Sequence, residues 1–223
     1  GTASTWYAGY GYRFAPDWRV NASASTGFNA PTFNDLYYPF GGNAALRPER
    51  LNSSEWGLQY ATRGLEVRAV WFSNRFTDLI GNDANFNRVN VAEARNEGLE
   101  VSASGHKGGL QLRGGLSAQD PRDVTANKPL KLRAKLLANL GVSADVGAWS
   151  YGANLRYSGE RRDGTKTLDS YAVLDLQLSH ALSPELKLFG RLENALDARY
   201  ETVYGYNQPS RGVFVGITWQ PRR

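Results

Sequence analysis

Apolar and polar residues take turns along this chain. Between positions 149 and 158, Trp149, Tyr151, Ala153, Leu155 and Tyr157 hold every second place, with Ser150, Gly152, Asn154, Arg156 and Ser158 between them. A strand sends successive side chains to opposite faces, so a period of two writes one apolar and one polar face. The polar face carries ions such as Arg156. A packed soluble core excludes unpaired ions, whereas a water-filled barrel lumen accepts them while the apolar face meets lipid. The pattern recurs along the whole chain, and no convincing helix interrupts it.

Read this way, the sequence predicts about eleven strands. The first runs from Thr5 to Phe14, with Trp6, Ala8, Tyr10, Tyr12 and Phe14 on one face. The second sets Trp18, Val20, Ala22 and Ala24 against Arg19, Asn21, Ser23 and Ser25. The third carries Trp56, Leu58 and Tyr60, and the fourth Leu65, Val67, Ala69 and Trp71. The fifth holds Leu99, Val101 and Ala103, and the sixth Leu110 and Leu112. The seventh sets Leu132, Ala134, Leu136, Ala138 and Leu140 against Arg133, Lys135 and Asn139. The eighth is the segment above. Ala172, Leu174, Leu176 and Leu178 mark the ninth, Leu186, Leu188 and Leu192 the tenth, and Gly212 to Trp219 the last.

The connections alternate in length. Ala15-Pro16-Asp17, Thr62-Arg63-Gly64, Gly105 to Gly109 and Leu182 to Glu185 read as tight turns. Gly27 to Arg50, Asp83 to Arg88, Asp120 to Lys128 and Gly159 to Thr167 read as longer polar loops. Short turns on one side and long loops on the other are the habit of outer-membrane barrels. Trp18, Trp149 and Trp219 fall near the short-turn end, where an aromatic girdle is expected. Complete bacterial barrels have even strand numbers, so an odd count points to part of something larger. A lone sheet would leave two open edges in lipid.

Composition narrows the chemistry. The 223 residues include no Cys, no Met and two His, His106 and His180. That excludes a disulfide framework and thiolate metal sites, and disfavours a His-based centre. Mean hydropathy is −0.48, and no apolar run reaches the ~18 residues of a membrane helix. Alternation hides the hydrophobicity of barrel strands, so that value does not argue against insertion. The net charge is +5 and the pI near 9.4. Nucleic-acid binding needs a clustered basic patch, whereas the Arg residues here are spread and interleaved with acids. The charge suits solvated loops and a polar lumen, with loop Arg residues near anionic lipid headgroups. No signal peptide opens the chain at Gly1-Thr2-Ala3-Ser4, so a mature form or missing upstream residues are expected. Glu193 and Asp197 are a carboxylate pair with no orienting His, and no enzyme is expected.

Several stretches resemble the C-terminal part of the TonB-dependent outer-membrane receptors. One is Gly27-Phe28-Asn29-Ala30-Pro31-Thr32-Phe33-Asn34-Asp35-Leu36-Tyr37, followed by Gly42-Asn43-Ala44-Ala45-Leu46-Arg47-Pro48-Glu49. Ala44 stands where the family has Pro. Asn96-Glu97-Gly98-Leu99-Glu100, Leu132-Arg133-Ala134-Lys135 and Glu193-Asn194-Ala195-Leu196-Asp197-Ala198-Arg199-Tyr200 follow in family order, with Leu196 in place of Phe. Tyr200-Glu201-Thr202-Val203-Tyr204-Gly205-Tyr206 and Ser210-Arg211 look like the cobalamin (vitamin B12) receptors in particular.

The resemblance implies an all-β, transmembrane, antiparallel up-and-down barrel, with residues 1–223 as the C-terminal half of 22 strands and the plug domain absent. It implies a Gram-negative outer-membrane location, with lipid and lipopolysaccharide around the wall. It also implies a large chelate ligand such as cobalamin, and plug and TonB contacts only through the missing N-terminal part. No cofactor, metal or calcium site and no nucleic acid is expected in this portion. The rivals are a siderophore or haem receptor of the same family, a small self-closed passive porin, and a soluble lipocalin-like binder. Such binders have apolar interiors, which the charged face opposes.

Individual residues carry separate expectations. A corrin ring is flat, wide and edged with amides, and aromatic faces with adaptable polar groups suit it. Tyr37, Tyr38, Phe40, Tyr204, Tyr206 and Asn207 offer these in loops, and Arg133 is placed with them. Asn43 and Pro48 are expected to hold the first long loop in one shape. Glu49 is expected either to pair with an Arg or to be plain loop chemistry. Asn194 and Asp197 are expected to bond backbone where the tenth strand ends, with Tyr200 closing that motif. Trp219 is expected to end an assembly-signal strand, although Gln220-Pro221-Arg222-Arg223 extends past it.

Overall fold

The computed structural model describes residues 4–83 and 85–221, with the backbone alone at 91 and 92. The elements in chain order begin with β1 (Tyr7–Ala15), β2 (Trp18–Asn29) and a short helix α1 (Phe33–Tyr37). There follow β3 (Glu49–Ala61), β4 (Leu65–Asn82), β5 (Arg88–Lys107), β6 (Leu110–Asp123) and β7 (Lys128–Pro129). Next come β8 (Leu136–Val146), β9 (Trp149–Ser158), β10 (Arg161–Asp163), β11 (Lys166–Leu168) and β12 (Tyr171–Ala181). The last are β13 (Leu186–Glu193), β14 (Glu201–Val203), β15 (Tyr206–Asn207) and β16 (Gly212–Trp219).

Hydrogen bonding orders the main sheet β1-β2-β3-β4-β5-β6-β8-β9-β12-β13-β16, with β7 branching from β6. Every segment expected from alternation is a strand of that path. Two further hairpins, β10-β11 and β14-β15, form small sheets of their own. Among the described residues, no helix is long and apolar enough to cross a membrane.

Several boundaries differ from those the alternation suggested. The seventh expected strand starts at Leu136 rather than Leu132. Leu132 has φ +57° and donates its N–H to Arg162 O at 2.7 Å, which turns residues 132–135 out of the ladder. Glu49 and Arg50 are already in β3, and β6 continues to Asp123. The charged stretch 159–167 folds largely into β10 and β11, because Gly164 at φ +63° makes a tight turn. The loop after β2 contains a helical turn. Thr32 accepts from the Asp35 N–H while the Asp35 carboxylate accepts from the Thr32 N–H, a complete capping box.

The chain divides into two compact units. One comprises residues 1–58, 70–99 and 119–130, and the other 59–69, 100–118 and 131–223. In the first, β1 and β2 pair antiparallel across the Pro16-Asp17 turn, with Tyr10 opposite Ala22 and Tyr12 opposite Val20. Its fully or nearly covered apolar residues include Leu46, Val70, Phe72 and Ala94.

In the second unit the register is continuous from β6 to β16. Leu140 faces Leu155, Leu155 faces Leu174, and Leu188 faces Ile217, all on one face. The opposite face aligns Gly115, Asn139, Arg156 and Val173 in one row. Val215, Ile217 and Trp219 stay 75%, 66% and 67% exposed. Apolar area of that extent left bare across strand after strand marks a surface meant for lipid or another apolar medium.

On the polar face, long side chains lie flat over facing glycines. Phe189 lies over Gly216, Gln177 over Gly152 and Asn139 over Gly115, each across a paired position. A Cβ on any of these glycines would meet the covering side chain. At Gly109 the obstruction is backbone, because a Cβ there would run into Asp145 O, which a rotamer change cannot relieve. Gly109→Ala is therefore expected to destabilise the protein by roughly 1–3 kcal/mol. Gly190→Ala, whose Cβ meets only Phe214 O at 3.9 Å, should be close to neutral. Urea unfolding midpoints of the detergent-solubilised protein, followed by tryptophan fluorescence, check the difference.

Candidate functional site

In the first unit the long loop after β2 is stitched to the ends of β4 and β5 by polar side chains. Asn43 is one knot: Nδ2 donates to Arg88 O (3.0 Å), Oδ1 accepts from Ala45 N (2.9 Å), and its N–H donates to Asp35 O (2.8 Å). Arg88 is a second knot. Its N–H donates to Gly41 O (2.7 Å), and its guanidinium meets Asp35 Oδ1 at 3.0 Å and Asn82 Oδ1 at 3.1 Å. Farther along, Arg47 pairs with Asp78 at 2.5 Å, and Asn90 Nδ2 donates to Arg47 O and Asp78 O.

Among the described residues, Glu49 is not paired with an Arg. Its two oxygens accept from the Ile80 N–H (2.7 Å) and from Asn29 Nδ2 (2.9 Å). A carboxylate at the start of β3 supplies an acceptor to a β4 amide, so it ties the loop by backbone capture rather than by ion pairing. Pro48 lies immediately before it, in the segment entering β3.

This tethered loop presents aromatic rings outward. Tyr37, Tyr38 and Phe40 are exposed, Phe40 at 81%. Tyr37 packs on Phe33 with centroids 5.0 Å apart, and Tyr38 meets Phe40 edge-on at 5.9 Å. Ring-on-ring contacts hold flat apolar area at low entropic cost, which is how a binding surface is made rigid.

The second unit builds another tethered assembly. Asn194, at φ +48° and 4% exposed, donates to Ala198 O (2.9 Å) and Pro209 O (3.2 Å) and accepts from Ala198 N (2.9 Å). Asp197, at φ +52°, accepts from Arg211 N (3.1 Å). Both residues bond backbone at the end of β13, as their residue types suggested. Asp175 receives the Asn194 N–H (3.0 Å) on one oxygen and Arg156 (2.9 Å) on the other.

Tyr200 stacks on Tyr171 at 4.2 Å, and the Arg161 guanidinium lies 5.1 Å over the Tyr171 ring. Arg161 is 7% exposed and donates to Ser158 Oγ and to Glu201 O, which clamps β10 to β14. Asp163 accepts from Tyr204 N (3.1 Å), and Lys166 lies 5.2 Å over the Tyr204 ring. Tyr204 and Tyr206 stay exposed at the tip of the β14-β15 hairpin, where Gly205 takes φ +82°, and Asn207 is exposed beside them. Arg133 is exposed in the segment leading into β8. Trp219 faces Leu186 in the β13-β16 ladder.

Below this assembly, on the polar face of the same unit, is a cavity of about 600 Å³ lined by Asn139, Arg156, Tyr171, Tyr200, Thr202 and Gln208 among others. Of the expected ligand residues, Tyr37, Tyr38 and Phe40 come together in the first unit, and Tyr204, Tyr206 and Asn207 in the second. Arg161, Tyr171 and the Arg88-Asp35 pair were not singled out from sequence. The sole local signal for Arg161 was the charge run Glu160 to Asp163. Among the described residues, no three His, Asp or Glu side chains gather into a metal-holding group.

A sheet with one bare apolar face, one ionic face, and tight turns alternating with tethered loops defines the wall of a transmembrane β-barrel. Residues 1–195 match the family model described as TonB dependent receptor-like, beta-barrel, and the chain belongs to that family. It is 31% identical over 210 residues to the vitamin B12 transporter BtuB of Vibrio vulnificus, covering 92% of this chain and 34% of that protein. It is also 31% identical to the BtuB of Photobacterium profundum, covering 99% of this chain and 38% of that one. The chain thus spans about a third of the length of these curated relatives. Among solved structures, the copper transporter OprC matches with a TM-score of 0.79 at 18% identity, over 96% of this chain and 39% of that one. The Pseudomonas aeruginosa ferric enterobactin receptor PfeA (a G324V mutant) matches with a TM-score of 0.81 at 18% identity, over 96% and 40%. At such identities the likeness is one of fold.

Two outcomes are expected from these contacts. Asn194→Gly keeps the backbone angle but leaves buried polar groups unpaired, and should cost on the order of 2–3 kcal/mol in unfolding free energy. Asn194→Ala adds the strain of a left-handed Ala and should cost roughly 1 kcal/mol more. The Asp35 carboxyl is held below its ordinary 3.8 by the Thr32 side-chain and backbone hydrogen bonds, with Arg88 helping. Its contribution is therefore complete above 3.8 and lost as pH falls through the lower folded value. Protection of the amides across residues 32–46, taken relative to intrinsic exchange at each pH, should hold between pH 7 and 5 and fall only as pH drops below the ordinary carboxyl value of 3.8. In Asp35→Asn that protection should be reduced at pH 7 as well.

Proposed function

We propose that this chain is the C-terminal wall, with its external loops, of a TonB-dependent receptor that takes up cobalamin across a Gram-negative outer membrane. The observation that carries this reading is the 31% identity to vitamin B12 transporters along nearly the whole chain. Because the chain spans about a third of those relatives, the plug and the contact with TonB belong to the part outside it. Lipid meets the apolar face.

The loops supply what a flat, amide-edged ligand needs. Tyr37, Tyr38 and Phe40 offer ring faces, and Tyr204, Tyr206 and Asn207 add hydroxyl and amide groups, with Arg133 as a charged contact. The tethers described above keep these side chains in place before the ligand arrives, so little ordering cost falls on binding. Asn43, Pro48, Glu49, Asn194, Asp197 and Tyr200 serve as positioning residues, acting through the loops they hold. Trp219 closes the terminal strand at the membrane interface. The mechanism divides accordingly: loops bind, the plug closes the lumen, and energy delivered through TonB rearranges the plug to free a path. No chemical step is asked of this chain.

Tyr204→Ala with Tyr206→Ala in the whole receptor is expected to weaken cobalamin binding by roughly tenfold or more. Equilibrium binding to outer-membrane vesicles measures it. Unchanged affinity would remove these residues from the site. Displacement of the bound ligand by a ferric siderophore or haem rather than by cobalamin would shift the reading to another receptor of the same family.

A further inference from the structure

The β4-β5 hairpin is longer than a membrane crossing needs. Its strands run to 18 and 20 residues, whereas a barrel strand crosses the hydrocarbon in roughly 9–11. Its tip therefore stands clear of lipid, at the end where the long loop after β2 lies. One carboxylate closes that tip. Asp83 Oδ1 accepts from the Asn85 N–H (2.8 Å) and the Asn87 N–H (2.9 Å), and Oδ2 accepts from Asn87 Nδ2 (3.1 Å). The Asp83 N–H donates to Asn87 O (2.9 Å), and the Phe86 N–H donates to Asp83 O (3.2 Å). Inside this closed turn Phe86 takes φ +64° and is 77% exposed. A left-handed backbone strains a bulky residue and comes easily to Asn, Asp or Gly. Asn82, Asp83, Asn85 and Asn87 surround the position. The residue least suited to that backbone holds it, and no burial of the ring compensates.

The tip also abuts the aromatic loop of the same unit. The Arg88 N–H donates to Gly41 O at 2.7 Å, and a Cβ on Gly41, at φ +118°, would lie 2.7 Å from Phe86 O. Phe40, itself exposed, precedes that glycine. Phe40 and Phe86 thus leave two different segments at one junction, each on backbone fixed by hydrogen bonds. We propose that Phe86 is a specificity-determining contact of the receptor, which joins Phe40 in presenting ring faces to the broad side of a flat, amide-edged ligand. The proposal rests on the cobalamin reading and adds a residue to its site. Two other roles for the ring are opposed by the geometry. A lipid contact is opposed by the length of the hairpin. A prop for the turn is opposed by Asp83, which closes the turn through main-chain and Asn87 bonds alone. Backbone strain without packing in return marks a residue held in place for what it touches.

The test measures cobalamin binding to the whole receptor in outer-membrane vesicles, together with protection of the Asn85, Asn87 and Arg88 amides relative to intrinsic exchange. Phe86→Gly and Phe86→Asn suit the left-handed backbone and remove the ring, so both should fold. Both should weaken binding by roughly tenfold. Phe86→Asn should at the same time raise protection of the three amides by about fivefold, because the strain is relieved. Phe86→Tyr keeps the flat face and should bind as the wild type does. Phe86→Leu keeps apolar bulk alone and should bind weakly. Wild-type affinity in the Gly and Asn variants would overturn the proposal. A joint fall of binding and protection in Phe86→Asn would also overturn it, because the ring would then be propping the tip. Wild-type affinity in Phe86→Leu would overturn the flat-face contact. A wild-type receptor that leaves cobalamin unbound would overturn the transport reading and the proposal with it. In every other outcome the wild type binds, which separates the two failures.

Discussion

Everything in this chain follows from the need to pair every backbone N–H and C=O without help from solvent. A lipid-facing wall has no water to offer, and each unsatisfied group there costs several kcal/mol. An antiparallel ladder meets that demand strand by strand, and it frees the side chains to sort by face. The rows Leu140-Leu155-Leu174 and Asn139-Arg156-Val173 are adjacent in register and opposite in chemistry. Neither row decides the pairing alone. A one-residue slip would bring Arg156 into the apolar face and Leu155 into the polar one, so the two faces fix the register together.

Where the ladder stops, side chains take over its task. Asn43 and Asn194 each donate to and accept from main-chain groups at strand ends and in the loops beyond them. Asn suits this role because it carries both kinds of group on a short stem and tolerates the left-handed backbone seen at Asn194. Arg161 does the same at larger scale, with a carbonyl, a hydroxyl and an aromatic ring around its guanidinium. The loops are thus extensions of the wall's bonding logic. That is why rings such as Phe40 can stand in solvent without collapsing inward.

The wall was legible because its signal is periodic. Trp149 to Tyr157 alternates without a fault, and β9 covers that stretch. What local pattern could not reveal was set by long-range bonds. Leu132 alternates with its neighbours as a strand residue does, yet a bond to Arg162 draws it out. The partner of Glu49 is a backbone amide thirty-one residues away, which no charge pattern announces. The Arg161-Tyr171-Tyr200 stack joins three elements. By contrast, the backbone bonding at Asn194 and Asp197 was visible, because that chemistry is confined to the turn and to the loop it closes.

The glycines of the polar face have a mechanical consequence. Phe189, Gln177 and Asn139 lie down over Gly216, Gly152 and Gly115 instead of standing up from the sheet. A surface whose large side chains are recessed has low relief. A body seated against it meets few steric catches and can slip along the strand direction without first prising rotamers apart. Friction, as much as affinity, is written into this wall.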